Sequence, residues 1–280
     1  MRVRIARRAG FVASLALAML AAVLLPSPAV AAPQFAAADE ATVQPGVVTN
    51  TEGAECTSNF IFTDGTDVFI GMAAHCAGTG PATATDGCTS ESRRLGTEVA
   101  IDGASQPGTL VYSSWLAMQD NGEDDVNACT FNDFALVELD PADVSITNPS
   151  VLSFGGPTGL DTDGTESGET VYSYGNSPLR GGVLQEKTGV STGTTGGGWS
   201  HQVVTVTPGI PGDSGSGFLD ADGEAFGVLS TLAIAPLPGS NGVTDLAMAL
   251  DYANTHGGLG EVSLVEGTEP FAPSLLPLGL

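Results

Sequence analysis

Past residue 31 the chain is interrupted by glycine and proline so often that only one stretch, Leu246 to Thr255, can carry a helix of useful length. The 280 residues include 38 Gly and 17 Pro, and the apolar runs between them are strand-length and bounded by turn residues. That pattern predicts an all-β protein built from antiparallel strands. Asn59-Phe60-Ile61-Phe62 and Asp67-Val68-Phe69-Ile70 flank Asp64-Gly65 and predict a hairpin. Gly108 to Trp115 and Phe134 to Leu139 read as further strands, with Gln119 to Asn127 an exposed loop between them. Pro141 to Pro157 reads as a crossover. Val171 to Tyr174, Val183 to Val190, Gln202 to Thr207, Gly217 to Leu219 and Ala225 to Leu232 form a second set of strands, the last two joined by a hairpin turn at Asp222-Gly223. Thr192 to Gly198 reads as a mobile Gly/Thr-rich loop.

The first thirty-one residues have a different character. Arg2, Arg4, Arg7 and Arg8 precede an apolar run from Phe11 to Leu25, and Ala29-Val30-Ala31 supplies small residues for a signal peptidase. The run is short for a membrane span and meets Pro26 and Pro28 at once. Residues 1–31 are therefore expected to be a secretory signal peptide, and the chain a secreted, extracellular one with no membrane contact after cleavage. The sequence has 8 Lys+Arg and 32 Asp+Glu. Loss of the four leader arginines leaves four basic residues, Arg93, Arg94, Arg180 and Lys187, and a formal charge of −28. So acidic a surface argues against nucleic acid and anionic lipid as partners and favours solubility. Residues 32–46 read as a short pro-segment or disordered start, and 261–280 as a tail.

Cys56, Cys76, Cys88 and Cys129 are the only cysteines. An even count in an exported chain points to two disulfides, with three pairings open. No thiolate or histidine cluster suits zinc. Asp161-Thr162-Asp163-Gly164-Thr165-Glu166 has some calcium-loop character but lacks the full pattern and reads as an acidic surface turn. No cofactor or metal is expected.

Three strings carry chemistry. Pro211-Gly212-Asp213-Ser214-Gly215-Ser216-Gly217 places a serine between glycines that let the backbone aim N–H groups at one point. A serine hydroxyl needs a base to take its proton and donors for the oxyanion it creates. Upstream lie Gly71-Met72-Ala73-Ala74-His75-Cys76 and Asn132-Asp133-Phe134-Ala135-Leu136-Val137. Of the three histidines, His201 and His256 lack such a context and read as structural or exposed. Asp124 and Asp125 compete with Asp133 but lie in a polar loop without a strand to hold them.

In this order the strings resemble the chymotrypsin-like serine proteases, and more closely their secreted bacterial members, over roughly Val47 to Gly257. The resemblance implies two six-stranded antiparallel β-barrels and a C-terminal helix within residues 47–260, with the boundary near 141–160. It implies a catalytic triad of His75, Asp133 and Ser214, an oxyanion hole from the N–H groups of Gly212 and Ser214, and disulfides Cys56–Cys76 and Cys88–Cys129. The specificity pocket would have its base near Pro208 and Gly209 and its wall at Ser230-Thr231-Leu232. The expected activity is that of a monomeric serine endopeptidase cutting protein or peptide substrates. An inactive protease-like binding protein and an esterase or amidase using the same triad are the alternatives.

The chain departs from the family pattern at three places. No Ile-Val-Gly-Gly-like start is present to pair with Asp213, and Arg180 is the expected substitute. No acid occupies the pocket base, and Leu232 stands where open-pocket members have glycine, so small or apolar residues before the scissile bond are expected. Asp245, if near the pocket, would reverse that. Ser216 replaces the glycine of the commoner string.

Overall fold

The computed structural model describes residues 32–81, 84–232 and 239–273; the expected signal peptide lies outside them. The first half contributes β1 (Val48–Thr51), β2 (Ala54–Thr57), β3 (Ile61–Thr63), β4 (Val68–Met72), β5 (Glu98–Ile101), β6 (Gly108–Ser113) and β7 (Ala135–Glu138). Between β6 and β7 lie two short helices, α1 (Ser114–Asn121) and α2 (Val126–Phe131). The second half supplies β8 (Thr170–Tyr174), β9 (Glu186–Thr195), β10 (Ser200–Thr205), β11 (Gly217–Leu219), β12 (Ala225–Leu232) and β13 (Ser240–Asp245). It is followed by α3 (Leu246–His256) and β14 (Ser263–Leu264).

The second half closes into a six-stranded antiparallel barrel in the order β10-β13-β12-β11-β8-β9. The first half does not match the expected six-stranded barrel. It is an eight-stranded sheet in the order β14-β3-β4-β7-β6-β5-β1-β2. The reason lies at the β2–β3 corner, where the backbone N–H groups that would join the two strands bond elsewhere. Thr57 N–H donates to Ser214 O, Ser58 N–H to Val47 O and Asn59 N–H to Gly71 O. The free edge of β3 is taken by β14, with Ser263 opposite Thr63.

The Asp64-Gly65 hairpin forms as expected, with Phe62 opposite Phe69. Its apolar side chains meet those of β6 and β7, and Phe62 packs edge-on to Phe134 at 5.4 Å between centroids. The segment read as a strand to Trp115 ends at Ser113, and Gln119 to Asn127 is largely the end of α1 and the start of α2 rather than one loop. Asp125 caps α2 by accepting from the N–H groups of Asn127 and Ala128. Thr192 to Thr195 continue β9 alongside β10, with a bulge at Thr192, instead of forming a loop.

Both ends of the described chain pack on the connection between the halves. Val43 is fully buried, and Ala36 N–H donates to Thr147 O. Near the other end, Gly156 N–H donates to Glu269 O, and Phe271 packs edge-on to Tyr172 at 5.5 Å.

Candidate active site

β4 runs straight into a short turn of 3₁₀ helix, Ala74–Ala77, that carries His75. The Cys56–Cys76 disulfide fixes this turn to β2, and Cys88–Cys129 ties the following loop to α2. Asp133 sits just before β7. Its Oδ1 accepts from the His75 backbone N–H at 2.8 Å and its Oδ2 meets His75 Nδ1 at 2.6 Å. Ser230 on β12 donates its hydroxyl to the same Oδ2 at 2.5 Å. One carboxylate thus orients the imidazole through both its ring and its backbone.

Their pKa values are pulled in opposite directions. Burial pushes His75 down, but the facing Asp133 charge and its hydrogen bond win and raise it above 6.5. Burial pushes Asp133 up, and the His75 charge with hydrogen bonds from His75 and Ser230 brings it below its usual value. Asp133 therefore stays ionised, and His75 gains basicity from it.

Ser214 arrives from the second half on the loop before β11. Thr57 clamps this loop to the first sheet: its N–H donates to Ser214 O and its hydroxyl to Gly212 O, both at 2.8 Å. Asn59 Nδ2 donates to Gly215 O. Gly215 has φ +87°, and a Cβ there would lie 2.6 Å from Thr57 O and 3.0 Å from Ala73 N, so only glycine allows this approach. The loop lies against the segment leading to His75. Ser214 Oγ makes no hydrogen bond to His75. The N–H groups of Gly212 and Ser214 have no hydrogen-bond partner among the described residues, whereas Asp213 N–H donates to Ile210 O and Gly215 N–H to Leu229 O.

Asp213 is fully buried and heavily partnered. Arg180 reaches it through Nη2 at 2.6 Å and Nε at 3.1 Å, and Lys187 Nζ lies 3.2 Å from the same Oδ2. Backbone N–H groups of Ser177 and Ile210 complete the shell. Burial pushes the carboxyl up, but these donors hold it below the usual range. Arg180 thus stands where a substitute cation was expected. Lys187 was not foreseen.

At the expected pocket, Arg180 Nη2 donates to Pro208 O at 2.6 Å, and the buried Asn241 bridges the two walls. Its Oδ1 accepts from Gly209 N–H and its Nδ2 donates to Thr231 O. The Ser230 side chain is spent on Asp133, but its residue is the bulge in the β12–β13 register, so its backbone has no partner across that ladder. Leu232 is half exposed. Asp245 caps α3 by accepting from Met248 N–H and meets His201 Nε2 at 2.9 Å, so both oxygens are engaged. His201 is fully buried, its Nδ1 3.0 Å from Thr165 Oγ1; His256 is exposed at the end of α3, beside Tyr252. Thr57 and Asn241 carry no sequence signal, being ordinary polar residues in short strands.

The sequence pattern of the trypsin-like peptidase domain matches residues 46–228, well over half of the chain. The chain belongs to the trypsin-like peptidase domain family. Membership implies a peptidase with protein or peptide substrates. The matched stretch of this trypsin-like domain includes His75, Asp133 and Ser214 and stops inside β12, so Ser230 to Leu232 and Asn241 lie beyond it. Among solved structures, Thermobifida fusca Protease A is 17% identical, with 81% of this chain and 100% of that one covered at a TM-score of 0.51. A glutamic acid specific serine protease, described as using a novel histidine triad in substrate binding, is also 17% identical, with coverage of 80% and 100% and a TM-score of 0.51. At such identity the likeness speaks to the fold. No curated protein matches the chain.

Proposed function

We propose that this trypsin-like domain is a secreted serine endopeptidase that works through Ser214, His75 and Asp133. The observation that carries the reading is the convergence of an oriented His75–Asp133 pair with a serine loop whose two flanking N–H groups are unengaged. In this mechanism His75 Nε2 takes the Ser214 proton as Oγ attacks the substrate carbonyl. The carbonyl oxygen gains its negative charge facing the N–H groups of Gly212 and Ser214, each worth about 3 kcal/mol of barrier. His75 then gives the proton to the leaving amine, and water repeats the sequence on the acyl-enzyme. Asp133 keeps Nδ1 protonated throughout. The exposed edge at Ser230 to Leu232 pairs with substrate backbone, and the leader-like character of residues 1–31 and the two disulfides support secretion.

Small or apolar side chains before the scissile bond suit the site, because Asp245 is committed to α3 and His201 and no acid stands at Pro208 or Gly209. Recognition of an acidic side chain by several histidines, as named for the glutamic acid specific neighbour, has no counterpart here. The chain holds three histidines, one proposed as catalytic, one sealed inside the barrel and one on α3. A fluorophosphonate probe tests the reading. Labelling at Ser214 that disappears in Ser214→Ala and His75→Ala supports it, and well-folded protein that never labels would favour a binding role. Casein hydrolysis then separates a protease from an esterase.

A further inference from the structure

Two of the four basic residues outside the leader converge on one buried carboxylate. Arg180 and Lys187 both contact Asp213, which precedes the proposed nucleophile and lies between the two proposed oxyanion donors. One anion against two cations leaves a net positive charge beneath that loop. Asp213 would be satisfied without Lys187, since Arg180 approaches it through two nitrogens and two backbone N–H groups also donate. Lys187 is fully buried on β9, and among the described residues its only other partner is Gln185 O at 3.4 Å. Room is made for it by Gly175, where a Cβ would fall 1.9 Å from Nζ. A buried ammonium beyond the need of its partner is costly to hold.

We infer that Lys187 is a positioning and electrostatic residue for the oxyanion hole, its uncompensated charge favouring the negative oxygen that forms at the N–H groups of Gly212 and Ser214. The proposal rests on the active-site reading above and deepens it. The low-dielectric surroundings make such a charge felt across several ångströms. Its titration offers a separate handle. Burial pushes the Lys187 ammonium down to about 8, against the pull of Asp213 and with the push of Arg180. Among the described residues these two are the charged groups that act on it; the neighbouring Glu186 sits opposite Tyr174. Above pH 8 the charge is lost while Arg180 keeps Asp213 paired. The folded protein then binds fewer protons than the unfolded chain, so stability rises from pH 8 towards 10 while reactivity falls.

The test measures the rate of Ser214 labelling by a fluorophosphonate, split into the maximal rate and the half-saturating probe concentration, from pH 6 to 10. It uses the wild type, Lys187→Met and Lys187→Gln, with melting temperatures taken in parallel. The expected result is a maximal rate about tenfold lower in both variants at pH 7, an unchanged half-saturating concentration and an equal or higher melting temperature. The wild-type decline through pH 8 is expected to vanish in the variants. Folded variants that label as fast as wild type, or that keep the same alkaline decline, would overturn the proposal. Should neither variant fold, the wild-type profile decides: a decline near pH 8 in intact protein supports it and a flat profile overturns it. A wild type that never labels at Ser214 overturns the active-site reading itself, and this proposal with it. Labelled wild type with unaffected variants removes only the role of Lys187.

Discussion

His75 is held between burial, which favours its neutral form, and Asp133, which favours its charged one. Asp133 prevails, so the imidazole ionises above 6.5. In the proposed mechanism the base must be neutral to accept the Ser214 proton, so the acid limb of kcat/KM is expected above that value. Asp133→Asn removes the cause, and a limb shifted to lower pH together with a drop of about 10⁴ in kcat is the expected outcome. Ser230→Ala deletes one donor to the same oxygen, and about a tenfold loss in kcat/KM is expected with the fold intact. Arg180→Ala leaves Asp213 buried with Lys187 as its remaining cation; a loss on the order of 3 kcal/mol in denaturant unfolding is expected. Asp220 gives a contrasting case. Burial raises its carboxyl to about 6, against N–H donors from Glu224 and Asp222 and with repulsion from Asp161 and Glu224. Its folded pKa lies above the unfolded one, so wild-type stability falls as pH rises from about 4 through 6. Asp220→Asn keeps an oxygen for those donors, and a gain of about 1–2 kcal/mol at pH 7, checked by denaturant titration, is expected.

Elements were legible where local chemistry alone decides them. The Asp64-Gly65 hairpin, the β11–β12 turn and the start of α3 at Leu246 each rest on residues adjacent in sequence. α1 and α2 were missed because neither has an apolar face long enough to register a helical period; α2 is stapled by Cys129 and capped by Asp125. β9 outruns its apolar residues because β10 pairs with its glycines and threonines all the way to Thr195. The open first sheet was hidden for the same reason, since it depends on N–H groups of residues 57–59 bonding to partners far along the chain. The three strings around His75, Asp133 and Ser214 were visible, and so was Arg180. Lys187 was not, because one lysine in a strand looks like a solvent-facing residue until the barrel closes over it. The clamp between β2 and the Ser214 loop makes its own prediction. Gly215→Ala puts a methyl group against Thr57 O and Ala73 N, and loss of fluorophosphonate labelling is expected even where circular dichroism is unchanged.

At the scale of the molecule, a charge of −28 over residues 32–280 sets how the fold responds to salt. Self-repulsion among carboxylates is screened as ionic strength rises. The melting temperature is expected to climb from 20 to 500 mM sodium chloride by roughly 2–4 °C, the equivalent of about 1 kcal/mol for a domain of this size. Ion pairs at the surface, such as Arg93 with Glu52, oppose this only slightly. The placement of β14 has a different kind of consequence. β14 borders β3, the strand hairpinned to the one that leads towards His75, and Phe271 packs on Tyr172 of the second half. Without β14 the outer edge of β3 would present free backbone N–H and C=O groups, so a strand of two residues also shields the first sheet from edge-to-edge pairing with another copy.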